Sequence, residues 1–154
     1  MKKIVLFAPD NCMPSTLTGP MDVFSAAGVS WNFINAQAPL PCFEIEAVSS
    51  HGNKIHCHNG IEFPVKHSWR DIDEADLIFI PSFVVLGAGP TLAPDLIHWF
   101  QTMAAKGTII ASVCTGAFFL AGTGLLDNKK ATTHWAFQDS LKQQYPHIEL
   151  VRDQ

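Results

Sequence analysis

Cys114 is the residue whose setting promises most chemistry. The apolar run Thr108 to Val113 leads straight into Cys114-Thr115-Gly116-Ala117, a pattern in which a buried strand turns abruptly into a helix with a cysteine at the turn. Gly116, two residues on, leaves room for strand and helix to approach closely. Backbone N–H groups at such a helix start favour a thiolate and could hold an oxyanion or a carboxylate ligand. The alternative is a buried, inert cysteine. His134 follows the short run Ala131-Thr132-Thr133, so it too should emerge at a strand's carboxyl end. A Cys–His pair is the minimum for an activated thiol, and a histidine capping the next helix is the other reading.

The elements that must position these residues alternate between strand and helix. Ile4 to Ala8 and Leu77 to Ile80 are short continuous apolar runs of the kind buried in a parallel sheet, and Phe43 to Val48 alternates like a half-exposed strand. A helix is expected to start near Thr18-Gly19-Pro20 and to end at Gly28, with Ser30 capping a second segment that carries Trp31 and Ile34. Ile55 to Val65, with Asn59-Gly60 inside, reads as a hairpin on the sheet edge. A loop containing Gly87 and Gly89 precedes a helix from about Thr91 to Ala105, and the chain closes with a helix to Tyr145 and a strand Ile148 to Val151. This order predicts an α/β fold, flavodoxin-like and doubly wound, with a mostly parallel sheet and helices on both faces. Ligands of such sheets gather at the carboxyl ends of the strands, which here are the Pro9 to Thr18 loop, the Ser82 to Pro90 loop, Cys114 and His134.

Composition narrows the function classes. The chain has 154 residues, 47% hydrophobic and 16% charged, which suits one domain with a sizeable core. A formal net charge of −4 lacks the basic surface that nucleic acid requires. The apolar runs are too short or too interrupted to span a bilayer, so no membrane partner is expected. Cys12, Cys42, Cys57 and Cys114 form no Cys-x-x-Cys pair, which points to a reducing, cytoplasmic setting and to neither a disulfide framework nor a zinc ribbon. In His56-Cys57-His58 two histidines would share one strand face, short of a zinc site, so neither metal nor cofactor is expected. Trp31, Trp69, Trp99 and Trp135 read as core or pocket-wall residues, and Asp71 to Asp76 as a solvated connector.

Ser112-Val113-Cys114-Thr115-Gly116-Ala117-Phe118-Phe119-Leu120-Ala121, Gly124-Leu125-Leu126-Asp127, Ala131-Thr132-Thr133-His134-Trp135 and Gly19-Pro20-Met21-Asp22-Val23-Phe24 together resemble the ThiJ/PfpI family of the class I glutamine amidotransferase-like superfamily. More narrowly, they resemble the amino-terminal domain of AraC-type transcriptional regulators. The resemblance covers essentially all of residues 1–154 and implies a ligand-sensing and dimerisation domain, with DNA contacted only through a carboxy-terminal helix-turn-helix domain expected downstream. The family domain usually continues through another strand and helix, so these residues are expected to be a truncated form of it.

In enzymes of the superfamily the cysteine and histidine work with an acidic residue four positions before the Gly-Pro proline, which is Thr16 in this sequence. A threonine cannot hold or take a proton as that carboxyl group does. Where the family usually shows Pro-Gly-Gly, this chain shows Pro81-Ser82-Phe83, and Phe83 is expected to crowd or reshape the oxyanion hole. The resemblance therefore implies a small-molecule site at Thr16, Ser82, Phe83, Cys114, Thr115, Gly116, His134 and Trp135, with Cys114 and His134 vestigial catalytic groups or ligand contacts, in a homodimer. A cysteine-dependent enzyme acting on a small carbonyl or isocyanide compound is the alternative, with Asp10 or Asp22 supplying the acid. Oxidation of Cys114 as a redox signal is a third reading.

Overall fold

The computed structural model describes residues 1–84 and 89–152. Gly87, expected in the loop before the third helix, lies outside them.

Five parallel strands form the central sheet in the order β5-β2-β1-β6-β7: β1 (Lys2–Phe7), β2 (Phe43–Ser49), β5 (His67–Ser68), β6 (Leu77–Ile80) and β7 (Ile109–Ser112). The chain winds outward from β1 in both directions, which is the doubly wound arrangement. Alternation along the strands sends side chains to two cores. Ile4, Leu6 and Ala8 of the first strand and its exit pack with Leu17 on one face, while Val5, Phe7, Ile78 and Ile80 pack with Phe100, Phe119 and Leu120 on the other. Phe7, Phe100 and Phe119 contact one another with ring centroids 5.0 to 5.6 Å apart, and edge-on or tilted pairs of this kind add about 0.5–1.5 kcal/mol each beyond area burial.

Helix α1 (Ser15–Ala26) begins a turn earlier than the Gly-Pro signal suggests, and Pro20 sits inside it. Thr16 and Leu17 donate their N–H groups to Met13 and Pro14, so the first turn forms before proline is reached. Gly28 has φ +72 and a Cβ there would lie 2.0 Å from the Leu40 carbonyl oxygen, which fixes glycine at this turn. Ser30 opens α2 (Ser30–Ile34) but makes no capping bond from its side chain, contrary to expectation.

The hairpin of β3 (Ile55–His56) and β4 (Glu62–Phe63) forms its own antiparallel pair and does not extend the main sheet. It is fastened instead to the loop after β1, where Asn11 donates to His56 and His58 donates to Cys12. α3 (Pro94–Ala105) starts three residues later than expected because Ala93, directly before proline, is held extended at φ −67, ψ 141. α4 (Gly116–Gly122) follows β7. β8 (Lys130–Ala131) and β9 (Glu149–Leu150) pair in a separate parallel sheet across α5 (Gln138–Gln144), packing Leu141 and Ile148 against Ala117, Phe118 and Ala121 of α4.

Trp69 and Trp99 are buried, ring centroids 5.6 Å apart. Trp31 and Trp135 are exposed, so neither is a core residue. Asp76 is more than a solvated connector, since its carboxylate accepts the Lys3 backbone N–H at 2.8 Å.

Candidate functional site

Cys114 lies half-buried one residue beyond Val113, with φ +54, the left-handed region that a side chain adopts only when its surroundings impose it. Two neighbours impose it. Gly116 is pressed against the end of β6: a Cβ there would lie 2.7 Å from the Pro81 carbonyl oxygen and 2.9 Å from that of Ile80. The Thr133 hydroxyl donates to the Cys114 carbonyl at 2.8 Å. This bond brings the segment carrying His134 to Cys114, although β7 and β8 share no sheet.

Thr115, the next residue, is buried, and its hydroxyl is the hub of the site. It donates to the Phe83 carbonyl at 2.6 Å and accepts from the Phe83 N–H at 3.0 Å. The buried Ser82 hydroxyl lies 2.8 Å away and, since the Thr115 proton is already committed, is the donor of that bond. Thr16 completes the array from α1: its hydroxyl accepts the Ser82 N–H at 3.0 Å and donates to the Met13 carbonyl at 2.8 Å. Both backbone N–H groups of Ser82-Phe83 are therefore occupied by threonine hydroxyls. The partly buried Phe83 side chain packs against the core, with its ring 6.4 Å from that of Phe119.

Valine in place of Thr115 keeps the shape and leaves the Phe83 N–H and carbonyl without their partner. We expect Thr115→Val to lower unfolding free energy by about 2–3 kcal/mol, read by urea denaturation. A loss below about 1 kcal/mol would show that the hub is dispensable.

His134 is exposed and caps the short helical turn Trp135–Phe137, its Nδ1 accepting the Ala136 N–H at 3.2 Å. That bond engages the Nδ1 lone pair with the backbone. Among the described residues no hydrogen bond joins the Cys114 thiol to His134. Trp135 stacks on the His134 ring, centroids 5.3 Å apart. Of the alternative acids, Asp10 is committed to the hairpin, accepting the His56 N–H at 2.9 Å, and Asp22 is exposed on α1. Among the described residues no three His, Cys, Asp or Glu side chains converge as a metal site. No helix among them is long and apolar enough to cross a membrane.

A cavity of about 600 Å³ lined by Lys3, Glu44, Asp76, Lys106 and Thr108 lies at the opposite, amino ends of the strands. Position outweighs volume here, since parallel sheets bind ligands at their carboxyl ends. Sequence reasoning named Thr16, Ser82 and Thr115 but missed Thr133, whose one signal was its place directly before His134.

The chain is 30% identical over 126 residues to isonitrile hydratase of Pseudomonas putida, covering 81% of this chain and 49% of that protein. It is 27% identical over 131 residues to the HTH-type transcriptional regulator CdhR of Pseudomonas aeruginosa, covering 79% and 38%. The chain thus spans half or less of the length of these two relatives. Among solved structures, an AraC family transcriptional regulator from Pseudomonas putida superposes with TM-score 0.77 at 22% identity, over 98% of this chain and 76% of that one. Drosophila melanogaster DJ-1beta gives 0.77 at 16% identity, over 99% and 75%. The profile of the DJ-1/PfpI family matches residues 2–154, and the chain belongs to that family.

Proposed function

We propose that this domain is the ligand-sensing unit of an AraC-type transcriptional regulator, taking a small polar metabolite at the carboxyl-end face beside Cys114 without turning it over. The observation that carries the reading is the use of Thr16. At the position where the resemblance implies a catalytic acid, a hydroxyl with no proton to give at neutral pH is spent on Met13 and Ser82. Similarity to CdhR and to the regulator GlxA of Rhizobium meliloti supports the same reading. DNA contact belongs to a helix-turn-helix domain in such a regulator. A homodimer would cover apolar side chains that stand exposed around α2, namely Trp31, Phe33, Ile34 and Leu40.

The 30% identity to isonitrile hydratase favours a second reading, a cysteine-dependent hydratase. Two measurements separate them. Wild-type protein should show no isonitrile turnover above that of Cys114→Ala; turnover that disappears in that variant would replace the sensor by the enzyme. Metabolites that raise the thermal midpoint in a fluorimetric screen should also slow alkylation of Cys114 by iodoacetamide. Stabilisation without protection would move the binding site elsewhere.

Residues 1–154, with their net charge of −4, should show no salt-sensitive affinity for duplex DNA. Tight binding at moderate salt in a mobility-shift assay would contradict this.

A further inference from the structure

Two buried cysteines that the candidate site does not use face each other. The sulfurs of Cys12 and Cys57, 45 positions apart in sequence, lie 4.0 Å apart, with Cys12 0% and Cys57 4% exposed. The backbone holds them there. On one side of Cys57 the His56 carbonyl accepts the Asn11 N–H at 2.8 Å, and on the other the His58 N–H donates to the Cys12 carbonyl at 3.0 Å. The two segments are thus clamped side by side, and the sulfurs need only close to about 2.05 Å for a bond. The remaining cysteines have no such partner: Cys42 is exposed with its thiol against the Leu40 carbonyl, and among the described residues no sulfur lies in contact with that of Cys114.

We propose that Cys12 and Cys57 form a reversible intramolecular disulfide on exposure to hydrogen peroxide. Cys57, the more accessible, reacts first. Its thiolate attacks one peroxide oxygen and the O–O bond breaks, giving a Cys57 sulfenic acid. The departing hydroxide takes up the proton released from the thiol and leaves as water. Cys12 sulfur then attacks the Cys57 sulfur, the S–S bond forms, the S–O bond breaks, and hydroxide leaves as a second water with the Cys12 proton. Two thiols are oxidised by two electrons and one peroxide is reduced to two waters. Burial keeps the Cys12 thiol protonated, which leaves the first attack on peroxide to Cys57, and Cys12 gives up its proton only as it attacks the neighbouring Cys57 sulfur.

Position gives the bond a consequence. The Cys12 backbone pairs with Phe83, and the next N–H, that of Met13, donates to the Ser82 carbonyl at 2.8 Å. A Cys12–Cys57 bond would tie the hairpin covalently to the segment that supports Ser82 and Phe83, the partners of Thr115 and Thr16.

The test is a peptide map of native protein treated with hydrogen peroxide, quenched with catalase, alkylated with N-ethylmaleimide in denaturant and digested without reductant. The expected product in wild type and in Cys114→Ser is a Cys12–Cys57 linked peptide pair, lighter by two hydrogens than the two peptides and separated by dithiothreitol. In Cys57→Ser the link is absent and Cys12 is recovered as its maleimide adduct. If that variant does not fold, the wild-type map decides alone. Recovery of both residues as maleimide adducts at doses that fully oxidise Cys114 would overturn the proposal. So would a link found only between chains, seen as a dimer band on a non-reducing gel.

Discussion

Gly116→Ala should destabilise the protein by about 3 kcal/mol or more and displace Cys114 from its present conformation. The added methyl would sit 2.7 Å and 2.9 Å from two backbone carbonyl oxygens at the end of β6, and neither can move without disturbing that strand or the Ser82 segment it leads into. The usual gain of alanine over glycine in a helix, about 1 kcal/mol, is too small to offset the clash. Denaturant unfolding measures the loss, and the alkylation rate of Cys114 in the folded variant reports the displacement. Unchanged stability with an unchanged Cys114 rate would mean that α4 is not packed against Pro81 as described. Gly124→Ala makes a useful contrast. There the strain comes from φ +77, since the nearest atom to a Cβ is 3.9 Å away, and Cys114 should keep its reactivity.

Alkaline pH should destabilise the protein through Cys12. Burial first, and then the neighbouring Cys57, push its thiol from the ordinary value of 9.0 up to about 12. The folded state keeps this proton after the unfolded chain has lost it, so the group's contribution is fully present below pH 9 and is lost as pH rises toward 12. The slope is about 1.4 kcal/mol per pH unit, some 4 kcal/mol over the whole window. Urea denaturation of wild type and Cys12→Ala at pH 8 and pH 10.5 isolates the effect from that of lysine and tyrosine. The wild type should lose about 2 kcal/mol more than the variant between the two pH values. Equal losses would show that the Cys12 thiol ionises as freely in the folded protein as in the unfolded chain.

Cys114 follows β7, an edge strand of the sheet, while the Nδ1 of His134 is bonded to the backbone and a threonine stands where the resemblance implies an acid. The Thr16-Ser82-Thr115 array also joins the start of α1, the end of β6 and the start of α4, so a ligand that disturbed it would act on three elements at once.

Properties carried by neighbouring residues were legible in the sequence. The continuous apolar runs of β1 and β6, the helix period of Leu96 to Met103 and the strand-to-helix turn at Cys114 follow from local patterning, and with them came the parallel sheet. The departures at Thr16 and Ser82-Phe83 were likewise visible as residue types. Tertiary structure alone decided what those residues do. Thr16 and Thr115 each have one hydroxyl, and only the approach of α1, β6 and α4 determined that both would be spent on the backbone of Ser82 and Phe83. The Phe83 ring turned inward because the apolar core next to Phe119 was open to it. The hairpin left the main sheet because its backbone groups found partners in Asn11 and Cys12, and that docking set two cysteines 45 residues apart face to face. Periodicity records which face of an element is apolar. It carries no information on which distant donor meets which acceptor, and those pairings fix the chemistry of this site.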